Sequence, residues 1–241
     1  MTDRPIIFSG PMVRAILAGA KTQTRRLIRW PAWIPLGSDP LATQAASLGR
    51  GEHIGYFREG QRTRSFTPRF VVGDRLWVRE TWATSEPQVA AYRADGRRYG
   101  ICPDGDGGRI FIAHERLFEA QRGFLLPLGF GVWRSPIHMP RWASRLALTV
   151  TGVRVEQLSD ITEADAEAEG IREAGALLPH LDAEEIAALP ARLLFAEGWD
   201  AIHGPGAWDR DRERWVWVVA FAPESVMAAL VAANQGVSHA I

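Results

Sequence analysis

The chain has 241 residues, 46% of them hydrophobic and 23% charged, with 23 glycines and 15 prolines, which fits one globular domain, with or without large insertions, and excludes disorder and fibrous repeats. Its 28 basic and 28 acidic residues cancel overall, yet residues 1–155 carry 23 Arg or Lys against 12 Asp or Glu, and residues 156–241 carry 5 against 16. A basic first two thirds suits a surface that meets phosphate or another polyanion, and suits equally two halves of one fold that attract each other.

The N-terminus, Met1 to Pro5, has neither the cationic n-region nor the long apolar h-region of a signal peptide, so a cytoplasmic protein is expected. Pro11 at a first helical position, the apolar set Met12, Val13, Ile16 and Leu17, and Gly19 just beyond predict a short helix over about 11–18. Thr22 to Trp30 alternates as a strand does and carries Arg25, Arg26 and Arg29. From Pro31 to about Pro68, Gly, Pro, Ser and Arg recur without sustained periodicity, which predicts a long insertion with little regular structure. Gly73-Asp74 predicts a turn into a strand over 75–82, where the two-residue period puts Leu76, Val78, Glu80 and Trp82 on one face. Residues 89–93 read as a short partner strand, and 94–131 as a second Gly-rich insertion with an amphipathic patch at 110–119. That insertion holds Cys102, the one cysteine, so an intrachain disulfide framework is excluded. Two prolines and two tryptophans between Trp133 and Arg145 predict a fixed loop.

Residues 145–156 form the clearest strand: Leu146, Leu148 and Val150 alternate, and Val153 and Val155 resume on the opposite parity, which predicts a bulge at Gly152. Thr162 with Asp165 resembles a capping box opening a helix that ends before Gly170. A helical stretch over about 183–203 is interrupted at Pro190, and Trp215 to Phe221 is nearly continuous in apolar residues, as a central strand is. The apolar run Val226 to Ala233 is far below the ~20 residues of a spanning helix, so no membrane span is expected, and the end of the chain reads as a short helix and frayed tail. Several strands and a few short helices without regular alternation predict an α+β fold, a small barrel-like sheet closed by helices. The expected organisation is one domain over 1–223 with insertions at about 31–68 and 94–131, then a tail over 224–241.

Of the 28 basic residues, 27 are arginine and Lys21 alone is lysine. Arginine keeps its proton, whereas a desolvated lysine among other cations falls in pKa far enough to act as a base. Thr24 lies three residues on, an odd spacing that brings the two side chains together only if Lys21 belongs to a turn and Thr24 to the strand. Its hydroxyl becomes a nucleophile once such an amine takes its proton; a solvated basic turn is the alternative. Glu169, in the last turn of its helix, is disfavoured as an anion by the helix dipole and has the raised pKa of a general acid, or is one more exposed acid in an acidic run. Glu80, on an apolar strand face, needs a partner, for which Arg25, Arg26 and Arg79 are the candidates, either as a structural ion pair or as a substrate contact.

Neither cofactor nor metal is expected. The six histidines, at 53, 114, 138, 180, 203 and 239, have no ligand spacing, and the calcium-loop echo from Asp104 to Glu115 has Arg109 where glycine is required. Six tryptophans, Trp30, Trp33, Trp77, Trp82, Trp133 and Trp142, fall in the basic portion among arginines, the surroundings in which unstacked bases bind; Trp82 and Trp142 are the ones expected to line a pocket.

Three motifs carry a resemblance: Gly19-x-Lys21-x-x-Thr24-x-Arg26, Gly73-Asp74-x-Leu76-x-Val78 and Thr162-Glu163-x-x-Ala166-x-x-Glu169-Gly170. They look like those of ASCH domains, which have a PUA-like β-barrel fold, and the chain is similar over most of its length outside the insertions to the larger ASCH proteins of phages and prophages. Small members of that family include an amidohydrolase that deacetylates N(4)-acetylcytidine with a lysine, a threonine and a glutamate. The resemblance implies that Lys21 deprotonates Thr24, Thr24 attacks the acetyl carbonyl and Glu169 protonates the departing amine, without a metal. Arg25, Arg26, Arg79, Glu80, Trp82, Arg141 and Trp142 are the expected pocket residues around this triad. A nucleoside or RNA is the expected partner, since other ASCH proteins are thought to bind or cleave RNA; an RNA-binding module, with or without nuclease activity, is the alternative function.

Overall fold

The computed structural model describes residues 2–29, 43–47, 52–58, 61–66, 68–84, 89–95, 98–103, 109–113, 133–212 and 214–224. The chain opens with strand β1 (Asp3–Ile7), helix α1 (Gly10–Leu17) and strand β2 (Gln23–Leu27). Pro11 sits in the first turn of α1 and Gly19 lies just past its end with φ 76°, as the local sequence predicts. Strands β3 (Thr43–Ser47), β4 (Glu52–Arg58) and β5 (Gln61–Phe66) then form their own antiparallel sheet. The segment expected to hold little regular structure therefore contains three strands. A meander pairs neighbouring backbone through N–H and C=O groups, and a register shift between Tyr56 and Phe57 interrupts the alternation that would have betrayed it.

After β6 (Arg75–Arg79) come β7 (Trp82–Ala83), β8 (Val89–Tyr92), β9 (Arg98–Pro103) and β10 (Arg109–Ala113), the last four in a sheet of order β10-β9-β8-β7. The second expected insertion thus contributes β9 and β10. Trp30, Trp33, Asp104, Glu115, most of the patch at 110–119, and the tail beyond Glu224 lie outside the described residues. The Trp133–Arg145 segment carries two single-turn helices, Pro136–His138 and Arg141–Ala143.

The rest of the fold comprises β11 (Ala147–Gln157), α2 (Glu163–Ala168), α3 (Ala183–Ala188), α4 (Ala191–His203), α5 (Ala207–Asp211) and β12 (Trp215–Pro223). The main sheet has the order β1-β6-β11-β12-β2, with β1 parallel to β6 and the other pairs antiparallel. β12 is paired on both sides and Val216, Trp217, Val218, Val219 and Phe221 are all buried, which accounts for its continuous apolar run. The β11–β12 register shifts between Val150 and Gly152, the predicted bulge. Thr162 and Asp165 form a reciprocal capping box on α2. Pro190 separates α3 from α4.

The fold is α+β, with a five-stranded mixed sheet and a few helices; among the described residues the sheet is open, with β1 and β2 at its edges. Val13 and Ile16 of α1, Ala166 of α2 and Leu194, Phe195 and Trp199 of α4 join the sheet's apolar residues in one core. Each large side chain buried there contributes about 1.5–3 kcal/mol. A second, smaller core gathers Trp82, Ala90, Tyr92, Met139 and Ala143. No helix among the described residues is long and apolar enough to cross a membrane.

Candidate functional site

The end of α1 delivers Lys21 to the end of α2. The amides of Ala20 and Lys21 both donate to the Ala15 carbonyl at 3.0 Å, turning the chain, and the Thr22 amide donates to the Ala168 carbonyl at 2.8 Å. Lys21 and Glu169 thereby face each other in an isolated antiparallel bridge. Gly170 makes this approach possible: its φ is 71°, and a Cβ built there would lie 2.7 Å from the Cβ of Lys21 and 2.8 Å from that of Ala15.

Lys21 Nζ donates to Glu169 Oε2 at 2.7 Å and to the Glu169 carbonyl at 2.9 Å, while Arg25 Nη1 donates to Oε1 at 3.1 Å. All three side chains are buried, each residue 3% exposed. Arg25 also forms an ion pair with Glu156 and lies 3.5 Å from Asp165 Oδ2. Asp165 in turn accepts from Arg154 Nη2 at 2.6 Å and from Gln23 Nε2 at 3.0 Å, so the Lys21–Glu169 pair is one end of a charged network crossing from β2 to α2 and β11. Burial pushes the Lys21 amine below its ordinary pKa of 10.5; Glu169 opposes the change, and Arg26 and Arg25 reinforce it. The Phe8 ring centroid lies 5.6 Å from Lys21 Nζ and 5.4 Å from Arg26 Cζ, within reach of both cations.

A cavity of about 190 Å³ opens on this pair, lined by Lys21, Thr24 and Glu169 together with Phe8, Met12 and Trp199. Thr24 belongs to β2, paired opposite Val219, and is 4% exposed. Arg25 and Arg26 also line the cavity; Arg26 Nη2 donates to the Ile7 carbonyl at 2.8 Å. Lys21, in an isolated bridge just after the turn that ends α1 rather than in the turn itself, and Thr24, in β2, thus line one cavity despite their odd spacing. His203 also lines the cavity, its ring 4.3 Å from that of Trp199; burial lowers its pKa from 6.5, Arg26 and Arg210 adding to the effect and Asp211 opposing it.

The remaining expected pocket residues lie elsewhere. Arg79 donates to the Met139 carbonyl at 3.1 Å and lines a neighbouring cleft. Glu80 is not partnered by Arg25, Arg26 or Arg79: Arg145 Nε and Nη2 grip its two oxygens at 2.8 and 2.9 Å. Strand order accounts for Arg25 and Arg26, since β11 and β12 separate β6 from β2; Arg79, next to Glu80 in the chain, donates instead to the Met139 carbonyl, while the Val78 amide bonds the Leu146 carbonyl and brings Arg145 alongside. Arg145 also pairs with Asp95 at 2.7 Å and lies 4.1 Å from the Tyr92 centroid, so Glu80 serves the second core. Burial raises the Glu80 pKa and Arg145 counteracts it. Trp82 and Trp142 meet edge to face at 5.8 Å in that core, with Trp82 Nε1 buried and without a hydrogen-bond partner among the described residues, and Arg141 pairs with Asp3 at 3.2 Å.

Sequence reasoning missed Phe8, Trp199, His203 and Gly170. Trp199 and His203 stand four residues apart on α4, a spacing that puts them on one helical face and was available to be read. Among the described residues no group of three His, Cys, Asp or Glu comes together in a way that could hold a metal ion. No protein-family model, curated protein or solved structure matches this chain.

Proposed function

We propose that this chain hydrolyses an acylated pyrimidine nucleoside or a related amide, with N(4)-acetylcytidine as the substrate its ASCH-like motifs suggest. In this reading Thr24 is the nucleophile, Lys21 the base and Glu169 the acid, and the five-stranded sheet is related to that of the PUA-like fold. One observation carries it: a lysine whose amine is driven toward neutrality by burial shares a small cavity with a strand-borne threonine and a carboxyl group.

In this reading one proton passes between Lys21 and Glu169 across their 2.7 Å hydrogen bond. With that proton on Glu169, the neutral amine accepts the Thr24 proton as Oγ1 bonds to the acyl carbon. The carbon–nitrogen bond then breaks, Glu169 giving its proton to the departing amine, which leaves Thr24 acylated beside a Lys21 ammonium and a Glu169 carboxylate. Water attacks the ester and loses a proton to Glu169; the Thr24 oxygen departs and takes its proton back from Lys21. The products are a free amine and a carboxylic acid, and the pair returns to its starting state. Arg25, bonded to Oε1, fixes the carboxyl group without entering the proton transfers.

Incubation with N(4)-acetylcytidine is expected to yield cytidine and acetate. Lys21→Arg removes a general base and lowers turnover by about 10²–10⁴-fold. Thr24→Ser keeps a hydroxyl and retains turnover, whereas Thr24→Ala loses it. Activity persisting in a folded Lys21→Arg protein eliminates Lys21 as the base.

A further inference from the structure

Beside the lysine cavity lies a larger cleft of about 930 Å³, near the upper end of ligand-pocket sizes. The two adjoin: Ile7, Arg25, Arg26, Trp199 and His203 line both. Six arginines line the larger cleft, Arg25, Arg26, Arg29, Arg69, Arg79 and Arg214, and no Asp or Glu is found among its described lining residues.

The six differ in pairing state: four have no carboxylate partner among the described residues, a state that Arg14 and Arg192 share outside the cleft, where each donates to a backbone carbonyl. Arg4, Arg75, Arg145, Arg154 and Arg172 each face a carboxylate, as do Arg25 and Arg214 of the cleft. Arg26, Arg29, Arg69 and Arg79 form no ion pair among the described residues; Arg26 and Arg79 each spend one N–H on a backbone carbonyl. They come from three separate segments: 26 and 29 lie on and just after β2, 69 before β6, and 79 at its end. Unneutralised cations gathered in a concave cleft raise the local positive potential, and their mutual repulsion is relieved when an anion enters. A guanidinium presents a planar fork of donors that matches the oxygens of a phosphate.

We infer that this cleft holds the phosphate of a phosphate-ester substrate whose base enters the lysine cavity, so that the ligand is a nucleotide, free or within a strand, rather than a bare nucleoside. The identity of the base rests on the proposed hydrolysis; the phosphate subsite stands on the arginines alone.

Binding of three probes to the full chain tests this: cytidine, cytidine 5′-monophosphate and a labelled oligocytidylate decamer, each at about 50 and about 200 mM salt. The monophosphate is expected to bind at least ~10-fold tighter than cytidine. For the decamer, four contacts on a single strand give a slope of log K against log salt of about −3. The double variant Arg29→Gln/Arg69→Gln is expected to lose at least ~10-fold in affinity for both phosphorylated probes and about half of the decamer's salt slope. A decamer bound more tightly than the monophosphate identifies a phosphodiester strand as the ligand, and equal affinity identifies a mononucleotide. Equal binding of cytidine and its monophosphate, or affinity that does not change with salt in the wild-type protein, overturns the inference whatever the variants do. Phosphate binding without hydrolysis removes the proposed chemistry and leaves the subsite; hydrolysis with no preference for phosphate does the reverse.

Discussion

Replacing Gly170 with alanine tests the packing that seats Lys21. Gly170 has φ 71°, and a left-handed conformation costs an L-residue about 1–2 kcal/mol. The added methyl group would also stand 2.7 Å from Lys21 Cβ and 2.8 Å from Ala15 Cβ, both stiffly attached to backbone. Relieving such overpacking costs a further ~1–3 kcal/mol, for a total of about 2–5 kcal/mol. Gly19→Ala is the internal control, because Gly19 has φ 76° and nothing within 4 Å of its built Cβ. It should lose only the conformational part, about 1–2 kcal/mol. Urea denaturation of both variants gives the difference directly, and the folded fraction of Gly170→Ala should also turn over more slowly, since Lys21 has to move. Losses that agree within ~0.5 kcal/mol refute the close approach as the reason for the glycine.

Two further outcomes follow from the charged groups. Because the working state of the Lys21–Glu169 pair holds one proton, kcat/KM should fall in alkali as the pair loses it. Burial lowers the Lys21 pKa, so that alkaline limb lies below the ordinary lysine value of 10.5; activity still rising at higher pH contradicts the assignment. Glu80→Gln breaks a buried pair and leaves Arg145 short of its bidentate partner, which should cost about 3–5 kcal/mol in urea denaturation while the folded protein keeps its turnover; a loss below ~1 kcal/mol refutes the structural role of Glu80.

What the sequence disclosed was local. Pro11 and Gly19 bracket α1, Thr162 and Asp165 cap α2, Pro190 divides α3 from α4, and the parity change around Gly152 marks the bulge in β11, each through chemistry confined to a few residues. β3, β4 and β5 escaped notice because their pairing is by backbone and a register shift breaks their alternation. Glu80 pairs with Arg145 rather than with Arg25 or Arg26 because strand order, a property of the whole sheet, sets which strands lie side by side, and Arg79 turns to a backbone carbonyl instead. Lys21 and Thr24 were legible as the lone lysine and a threonine three residues on, but the second cation on Glu169 depends on α2 packing beside β2, and the arginine cleft assembles residues from distant parts of the chain. Contacts of that kind carry no periodic signature.

The most direct test is to trap the acyl group. Acid quenching during turnover of N(4)-acetylcytidine, followed by tryptic digestion and fragment mass spectrometry, is expected to place an acetyl ester on Thr24 within the peptide Thr22–Arg25, to find none in Thr24→Ala, and to find more of it where deacylation is slowed. Hydrolysis that proceeds at the wild-type rate in Thr24→Ala, or an acetyl group carried by any other side chain, contradicts the account.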